Sequence, residues 1–417
     1  MKEFIKKVVS HNLARGSAVV FAGSMVGNVA GYLYHLILGR LLGPIDYGEL
    51  SSLFSLLYIG TAPLVVAQTV IIKFVAGFKA HGQEGQTKSF LLKLTKATAL
   101  AGMVGFPVAF FAAPLISSFL HLSSHSFFVL TYALFALSLL MTITGSVIQG
   151  YQKFVAFSIL SAGLMVTKVL LSIPMVAWGI EGVLWAALLA TLLIYALDFV
   201  PLRSLLIVKA KPAPLNKKEM FRFAAPTFFT LLGVTSLYST DVVLVRHFLA
   251  ASDAGLYAAL AVLGKVIFFA SSSVSLVLFP VLSERTARGE ATKKLVMVAL
   301  GGVSLLSLAI TAVYFAVPDL VVHMLFGNAY QGASALLGQL GIFLTLFSIG
   351  NLLVMTCLAL GKTGVWVIGV VCALLQIAGI VMFHENIAQV ITVNIGVCGL
   401  LVAGALGYYF KVSYEKV

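Results

Sequence analysis

An all-helical polytopic membrane protein, with twelve transmembrane helices in two six-helix lobes, is the fold class this sequence predicts. Sixty per cent of its 417 residues are hydrophobic and the mean hydropathy is +1.06, well above the level of a soluble domain. Charged residues, 10% of the chain, leave long clear runs: 24 residues between Arg15 and Arg40, 23 between Glu49 and Lys73, and 24 between Lys294 and Asp319. Roughly 20 helical residues cross a hydrocarbon core of ~30 Å, and a helix satisfies its own backbone groups where water is absent. The pattern then divides into two sets of six.

The first set is predicted over 17–41, 47–72, 94–120, 126–150, 154–178 and 180–205. In the first span Ser24, Asn28 and His35 fall on one stripe, beside a ridge of Gly23, Gly27 and Gly31 suited to close helix contact. Pro63 in the second span, with Gln68 a turn further on, is expected to kink the helix and free a carbonyl. The second set is predicted over 222–249, 254–281, 294–317, 332–360, 363–383 and 387–410. The start "MKEFIKK" leads into a span too long for a signal-peptide core, so no cleavable leader is expected.

The net charge of +13 raises nucleic acid as a partner until the basic residues are mapped. Of 27 Lys and Arg, 23 lie in the termini and the loops after even-numbered spans. The loops after odd-numbered spans carry Asp46, Glu49, Glu181, Asp253, Asp319 and Glu385 instead. The positive-inside rule then places both termini and the even loops in the cytoplasm, so the charge expresses topology and nucleic acid is excluded. Cys357, Cys372 and Cys398 lie inside spans with no CxxC spacing, so neither a disulfide nor a metal site is expected.

The two sets look like repeats. Asp46–Gly48 aligns with Asp253–Gly255 at an offset of 207 positions, and Gly82 aligns with Gly289. "IQGYQKF" (148–154) resembles "LALGKTG" (358–364), with Gly150 against Gly361. Six spans per half make this a parallel repeat, its pseudo-twofold along the membrane normal. The expected organisation is a lobe over 1–206, a cytoplasmic linker over 207–220 and a lobe over 221–417, with a cleft between the lobes.

Four basic residues fall within spans: Arg40, Lys168, Arg246 and Lys265. The acids within spans are Asp198 and Asp241. Lys265 lies about 17 Å deep at ~1.5 Å per residue, and Lys168 is similarly placed. A charge at that depth costs a few kcal/mol, so each should face a watery cleft or an ion-pair partner. Asp241 is one such partner for Lys265; a helix-packing role or a coupling site for Na⁺ or H⁺ are its other readings. Arg40 and Arg246, near the outer ends of spans one and seven, either anchor the interface or extend a cationic lining. Asn28 and His35 either line the cleft or bond to neighbouring helices.

"GRLLGPIDYGELSSLFSL", "STDVVLVRHFLAASDAGLYAAL", "LVLFPVLSE", "VIQGYQKF" and "WGIEGVLWA" together resemble polysaccharide flippases of the multidrug/oligosaccharidyl-lipid/polysaccharide exporter superfamily. The resemblance covers nearly the whole chain. It implies a pair of six-helix lobes that carry a polyprenyl-pyrophosphate-linked oligosaccharide to the outer leaflet by alternating access. The substrate-binding set would be Lys265, Lys168, Arg246, Arg40, Asn28 and His35, with Asp241 as counter-ion or coupling residue. Such a protein is a monomer in a bacterial or archaeal plasma membrane, meeting membrane lipids and other polysaccharide-assembly proteins. It needs no cofactor, with Na⁺ or H⁺ left open as a coupling ion.

Two other functions compete. A cation-coupled multidrug exporter of the same superfamily would want an acidic cleft, against four basic and two acidic residues in the spans. A membrane polysaccharide polymerase would need a larger outer loop or an acidic metal motif. "LGKTG" (360–364) lacks the glycine of a phosphate-binding loop, so ATP hydrolysis is not expected, nor is any catalytic residue.

Overall fold

The computed structural model describes residues 12–211, 217–287 and 291–414; a few side chains within its helices, Ser24 and Pro63 among them, lie outside the described residues, as does Gly289. Every element among the described residues is a helix. The first half comprises α1 (Asn12–Ala80), α2 (Glu84–Phe119), α3 (His125–Gly150), α4 (Phe154–Met175) and α5 (Gly179–Ile207). The second comprises α6 (Lys217–Leu237), α7 (Thr240–Phe248), α8 (Ala251–Ala287), α9 (Lys293–Ala316), α10 (Pro318–Phe326), α11 (Ser334–Ala359), α12 (Trp366–Met382) and α13 (Ile387–Tyr414).

Nine of the described helical stretches are long and apolar enough to cross a membrane, ten if the bent pair α6–α7 is one span. Two of the ten are double-length. Met25–Ala80 breaks at Gly43, whose φ of 75° and ψ of 175° are not helical. Phe154–Ile207 breaks at a 3₁₀ turn, Val176–Trp178, followed by Gly179 at φ 65°. Split at those breaks, the ten become the twelve that the hydropathy pattern predicts. The loop expected between spans one and two is therefore a single kinked residue. The loop expected over 318–331 is mostly helical instead, holding α10 and a 3₁₀ stretch over Asn328–Ala333.

The chain forms two compact units, 1–41 with 63–224 and 42–62 with 225–417. The stretch Leu42–Ala62 thus packs with the second half, although the sequence assigns it to the first lobe. Glu49, expected in an outer loop, is consequently helical and 3% exposed.

In the first unit the glycine ridge does what small residues permit. A methyl group on Gly23 would meet Ser158 Cβ at 2.6 Å, and methyls on Gly27 and Gly31 would each come 3.9 Å from Ala162 and Met165. The first span therefore runs along α4 backbone to backbone. Lysines close the ends of its helices. Lys79 Nζ donates to the Tyr151 carbonyl at 2.7 Å, Lys153 Nζ to Pro201 at 2.5 Å, and Lys88 Nζ to Leu206 and Val208. Cations belong at the negative end of a helix dipole. The described part of the linker is held there too, with Lys211 N donating to the Gly85 carbonyl at 2.9 Å.

In the second unit α11 is the hub, packed against α8, α9 and α13. Hydroxyls join these helices: Ser271 to Ser307 at 2.8 Å, Thr311 to Thr345 at 2.9 Å, and Tyr314 to the Leu263 carbonyl at 2.7 Å. Where hydrocarbon surrounds every helix, such bonds choose partners that the hydrophobic effect cannot.

The repeat alignment at 148–154 needs a correction. α3 and α11 end in the same cap: Lys153 N bonds the Ile148 carbonyl and Lys362 N the Cys357 carbonyl, around left-handed Gln152 (φ 59°) and Gly361 (φ 74°). Gln152, not Gly150, corresponds to Gly361.

Candidate functional site

The break in span seven organises the charged residues of the second unit. α6 ends at Leu237, α7 starts at Thr240, and the two axes meet at 44°. Asp241 therefore lies in the first turn of a helix, where exposed N–H groups favour a carboxylate; its Oδ1 accepts from Val242 N at 2.9 Å. The break also leaves the Leu237 carbonyl without a helical donor. Gln376 on α12 supplies one, its Nε2 donating at 2.8 Å to that carbonyl and at 2.9 Å to Asn394 Oδ1 on α13.

The chain of bonds then returns to the acid. Asn394 Nδ2 donates to the Tyr257 hydroxyl at 3.0 Å and to Asp241 Oδ2 at 3.4 Å, and the Tyr257 hydroxyl donates to Asp241 Oδ2 at 2.5 Å. None of the four side chains is more than 1% exposed. Gln376 Oε1 alone makes no hydrogen bond among the described residues. A buried, connected polar network of this kind has a high stake in each member. The sequence pointed to Asp241 and missed Tyr257, Gln376 and Asn394. The signal was there, in two amides set inside the otherwise apolar runs of spans eleven and twelve.

Lys265 and Asp241 form no salt bridge. The acid is engaged by Tyr257 and Asn394, and acts on Lys265 only through its field. The ammonium is half-buried and lies 5.3 Å from the ring centroid of Tyr58 and 5.5 Å from that of Tyr238, the residue at the break. Tyr238 in turn stacks on Phe268 and leans on Phe347, which fixes its ring. Lys265 has no hydrogen-bond or ion-pair partner among the described residues. Two cation–π contacts, each worth ~0.5–2 kcal/mol, hold it in place and leave its three N–H donors available.

Tyr58 is also the repeat counterpart of Lys265 at the offset of 207 positions. Gly48 and Gly255, a second pair at that offset, touch as well: a methyl on Gly48 would meet Gly255 Cα at 2.8 Å. The segment 42–62 thus crosses the start of α8 with each landmark against its own equivalent, the signature of a local two-fold.

The remaining sequence-predicted residues are dispersed. Arg246 is 4% exposed and faces Glu49 at 3.6 Å, in a buried ion pair rather than a cationic lining. Arg40 is exposed on α1. Asn28 is exposed, and His35, half-buried, meets Tyr34 edge-on at 5.8 Å. Lys168 on α4 is half-buried and makes no hydrogen bond or ion pair among the described residues. No group of three His, Cys, Asp or Glu among the described residues could hold a metal ion, and the three cysteines are buried thiols.

Comparison with known proteins extends this picture. The chain matches 93% of its length to 96% of a multidrug resistance MATE family transporter of the MOP superfamily in an inward-facing conformation, with a TM-score of 0.73 and 12% identity. It matches 95% of its length to 87% of the lipid II flippase MurJ in an inward closed conformation, with a TM-score of 0.74 and 14% identity. A MOP superfamily transporter from Pyrococcus furiosus, described as having a binding pocket of reversed polarity, matches with a TM-score of 0.65 and 13% identity over 97% of this chain and 96% of that one. At such identities these likenesses establish the fold alone: that of a multi-pass, all-helical membrane protein. No curated protein sequence matches the chain. The family model described as "Polysaccharide biosynthesis protein" matches residues 37–335, and the chain belongs to that family.

Proposed function

We propose that this transporter is a flippase for a polyprenyl-pyrophosphate-linked oligosaccharide, moving it from the cytoplasmic to the outer leaflet by alternating access. One observation carries the reading. Lys265 is a cation set among aromatic rings, with its donors uncommitted among the described residues. A pyrophosphate leaving water needs such a charge, and the polysaccharide family match supplies the context in which the pyrophosphate bears a glycan. Lys168, likewise without a partner among the described residues, is a second such cation, in the first unit. Arg246 drops out of the binding set because Glu49 engages it.

The coupling ion belongs at Asp241. The Asp241 carboxylate and the Tyr257 hydroxyl are hard oxygen donors in contact at one buried point, suited to Na⁺ or H⁺. The protein would act in a bacterial or archaeal plasma membrane with its lysine-rich loops and termini inside, among other polysaccharide-assembly proteins.

Reconstitution tests the reading. Vesicles containing wild-type protein should expose a labelled polyprenyl-pyrophosphate oligosaccharide on the far leaflet, and vesicles containing Lys265→Ala should not. Equal transport by the variant contradicts it. A second reading, the cation-coupled multidrug exporter, draws support from the buried Asp241 network. It predicts that a cationic dye moves and the glycolipid does not.

A further inference from the structure

The first unit contains a buried acid that none of this uses. Asp198 on α5 is 1% exposed, and its Oδ2 lies 2.5 Å from Thr144 Oγ1 on α3. The same hydroxyl lies 2.9 Å from the Met141 carbonyl, one turn back on its own helix. A hydroxyl owns one proton and a carbonyl only accepts. Both contacts are satisfied when the carboxyl brings the second proton, so that Asp198 donates to Thr144 and Thr144 donates to Met141. Asp198 has no ion-pair partner among the described residues, and an isolated carboxylate so deeply placed would be costly.

The surroundings supply a route. Asp198 borders a cavity of about 220 Å³ whose wall includes Gln68 of α1, Ser138, Thr142 and Ser146 of α3, and Ser161 of α4. A cavity of this size with several polar partners suits water. One to two turns toward the lysine-capped helix ends it is floored by an apolar cluster that includes Val75, Phe78, Val147 and Leu202. Of the groups facing Asp198, Tyr195 on its own helix is titratable, and those on α1, α3 and α4 are neutral amides and hydroxyls. Lys168 lies one turn beyond Leu164 on α4, outside the cavity wall.

We infer that Asp198 is a proton-exchange site of the first unit, trading its proton with water in this cavity. On release the carboxyl O–H breaks and cavity water takes the proton. Thr144 then turns its hydroxyl from Met141 to the carboxylate. On uptake both changes reverse. Nothing in this depends on the identity of the cargo, and it is separate from the Asp241 network of the second unit.

Infrared pH-difference spectroscopy on the purified full-length protein tests it, comparing wild type with Asp198→Asn, Asp198→Glu and Thr144→Val. The expected result is a protonated-carboxyl band that responds to pH, shifts promptly in heavy water and is missing from the Asp198→Asn difference. Its midpoint should move in Thr144→Val, which removes the hydrogen-bond partner on α3. If Asp198→Asn does not accumulate, Asp198→Glu must likewise keep the band at a displaced midpoint. A band that is independent of pH, or the same in all four proteins, overturns the inference.

Discussion

Lys265 lies 5.3 Å above the ring of Tyr58, its own counterpart in the internal repeat, and beside Tyr238 at 5.5 Å. At this pair the repeat is asymmetric in chemistry: one copy offers a charge and the other a π face that steadies it. A tyrosine face attracts a cation without occupying its donors. Lys265→Arg should therefore keep the cage and much of the anion binding, whereas Tyr58→Leu should weaken it several-fold while leaving Lys265 charged. Titration of a polyprenyl pyrophosphate onto purified protein measures both; tight binding by Tyr58→Leu would remove the cage from the account.

Arg246 and Glu49 give a prediction about stability. Removing one partner of a buried ion pair leaves an uncompensated charge, at roughly 3–5 kcal/mol. Thermal unfolding in detergent should find Arg246→Ala and Glu49→Ala each strongly destabilised. The double substitution Arg246→Met with Glu49→Leu should recover much of the loss. An Arg246→Ala variant that is stable but inactive would return Arg246 to the binding set.

Backbone contact between Gly48 and Gly255 leaves no room for a side chain, since an added Cβ at Gly48 meets main-chain atoms at 2.8 Å. Gly48→Ala should lower stability by about 1–3 kcal/mol through overpacking. Gly301→Ala, in a helix with nothing within 4 Å, should be neutral or raise stability by up to ~1 kcal/mol through helix propensity. The pair of melting curves separates contact from composition.

A left-handed glutamine also invites a test. Gln152 holds φ 59° at the cap where α11 uses Gly361. Gln152→Gly should stabilise by about 1 kcal/mol, because a side chain in that region is strained and glycine is not. An unchanged melting temperature would mean that the Gln152 side chain, which accepts from Lys79 at 3.4 Å, offsets the strain.

Tyr257→Phe probes coupling. It deletes the 2.5 Å bond to Asp241 and leaves the ring packed. Transport should persist with a changed response to an imposed Na⁺ or pH gradient, measured in vesicles. An unaltered response, matched by Asp241→Asn, would make the network structural.

Much of the fold was legible because length and apolarity alone define a membrane span, and the segments stand where the long apolar runs are. The breaks were less visible. Nothing in "TSLYSTDV" is a helix breaker by composition, so the division at Tyr238 follows from tertiary contacts such as Gln376 on the Leu237 carbonyl. Glu49 read as a loop acid because charge normally marks a loop, and its ion pair with Arg246 is what offsets the cost of its burial. Asp241 and Lys265 were conspicuous as isolated charges. Of their true neighbours, Asn394 was visible as an amide in an apolar span, whereas Tyr257 and Tyr58 are of a residue type too common in membrane helices to single out without coordinates.

The most direct measurement is ligand-induced thermal stabilisation of the purified protein by undecaprenyl pyrophosphate, against a cationic dye, in wild type and Lys265→Ala. A ligand that binds only the folded state raises the melting temperature with its concentration. The account predicts dose-dependent stabilisation of the wild type by the pyrophosphate lipid, little by the dye, and loss of the lipid effect in Lys265→Ala. Stabilisation by the dye alone, or equal stabilisation of both proteins by the lipid, would contradict a pyrophosphate held at Lys265.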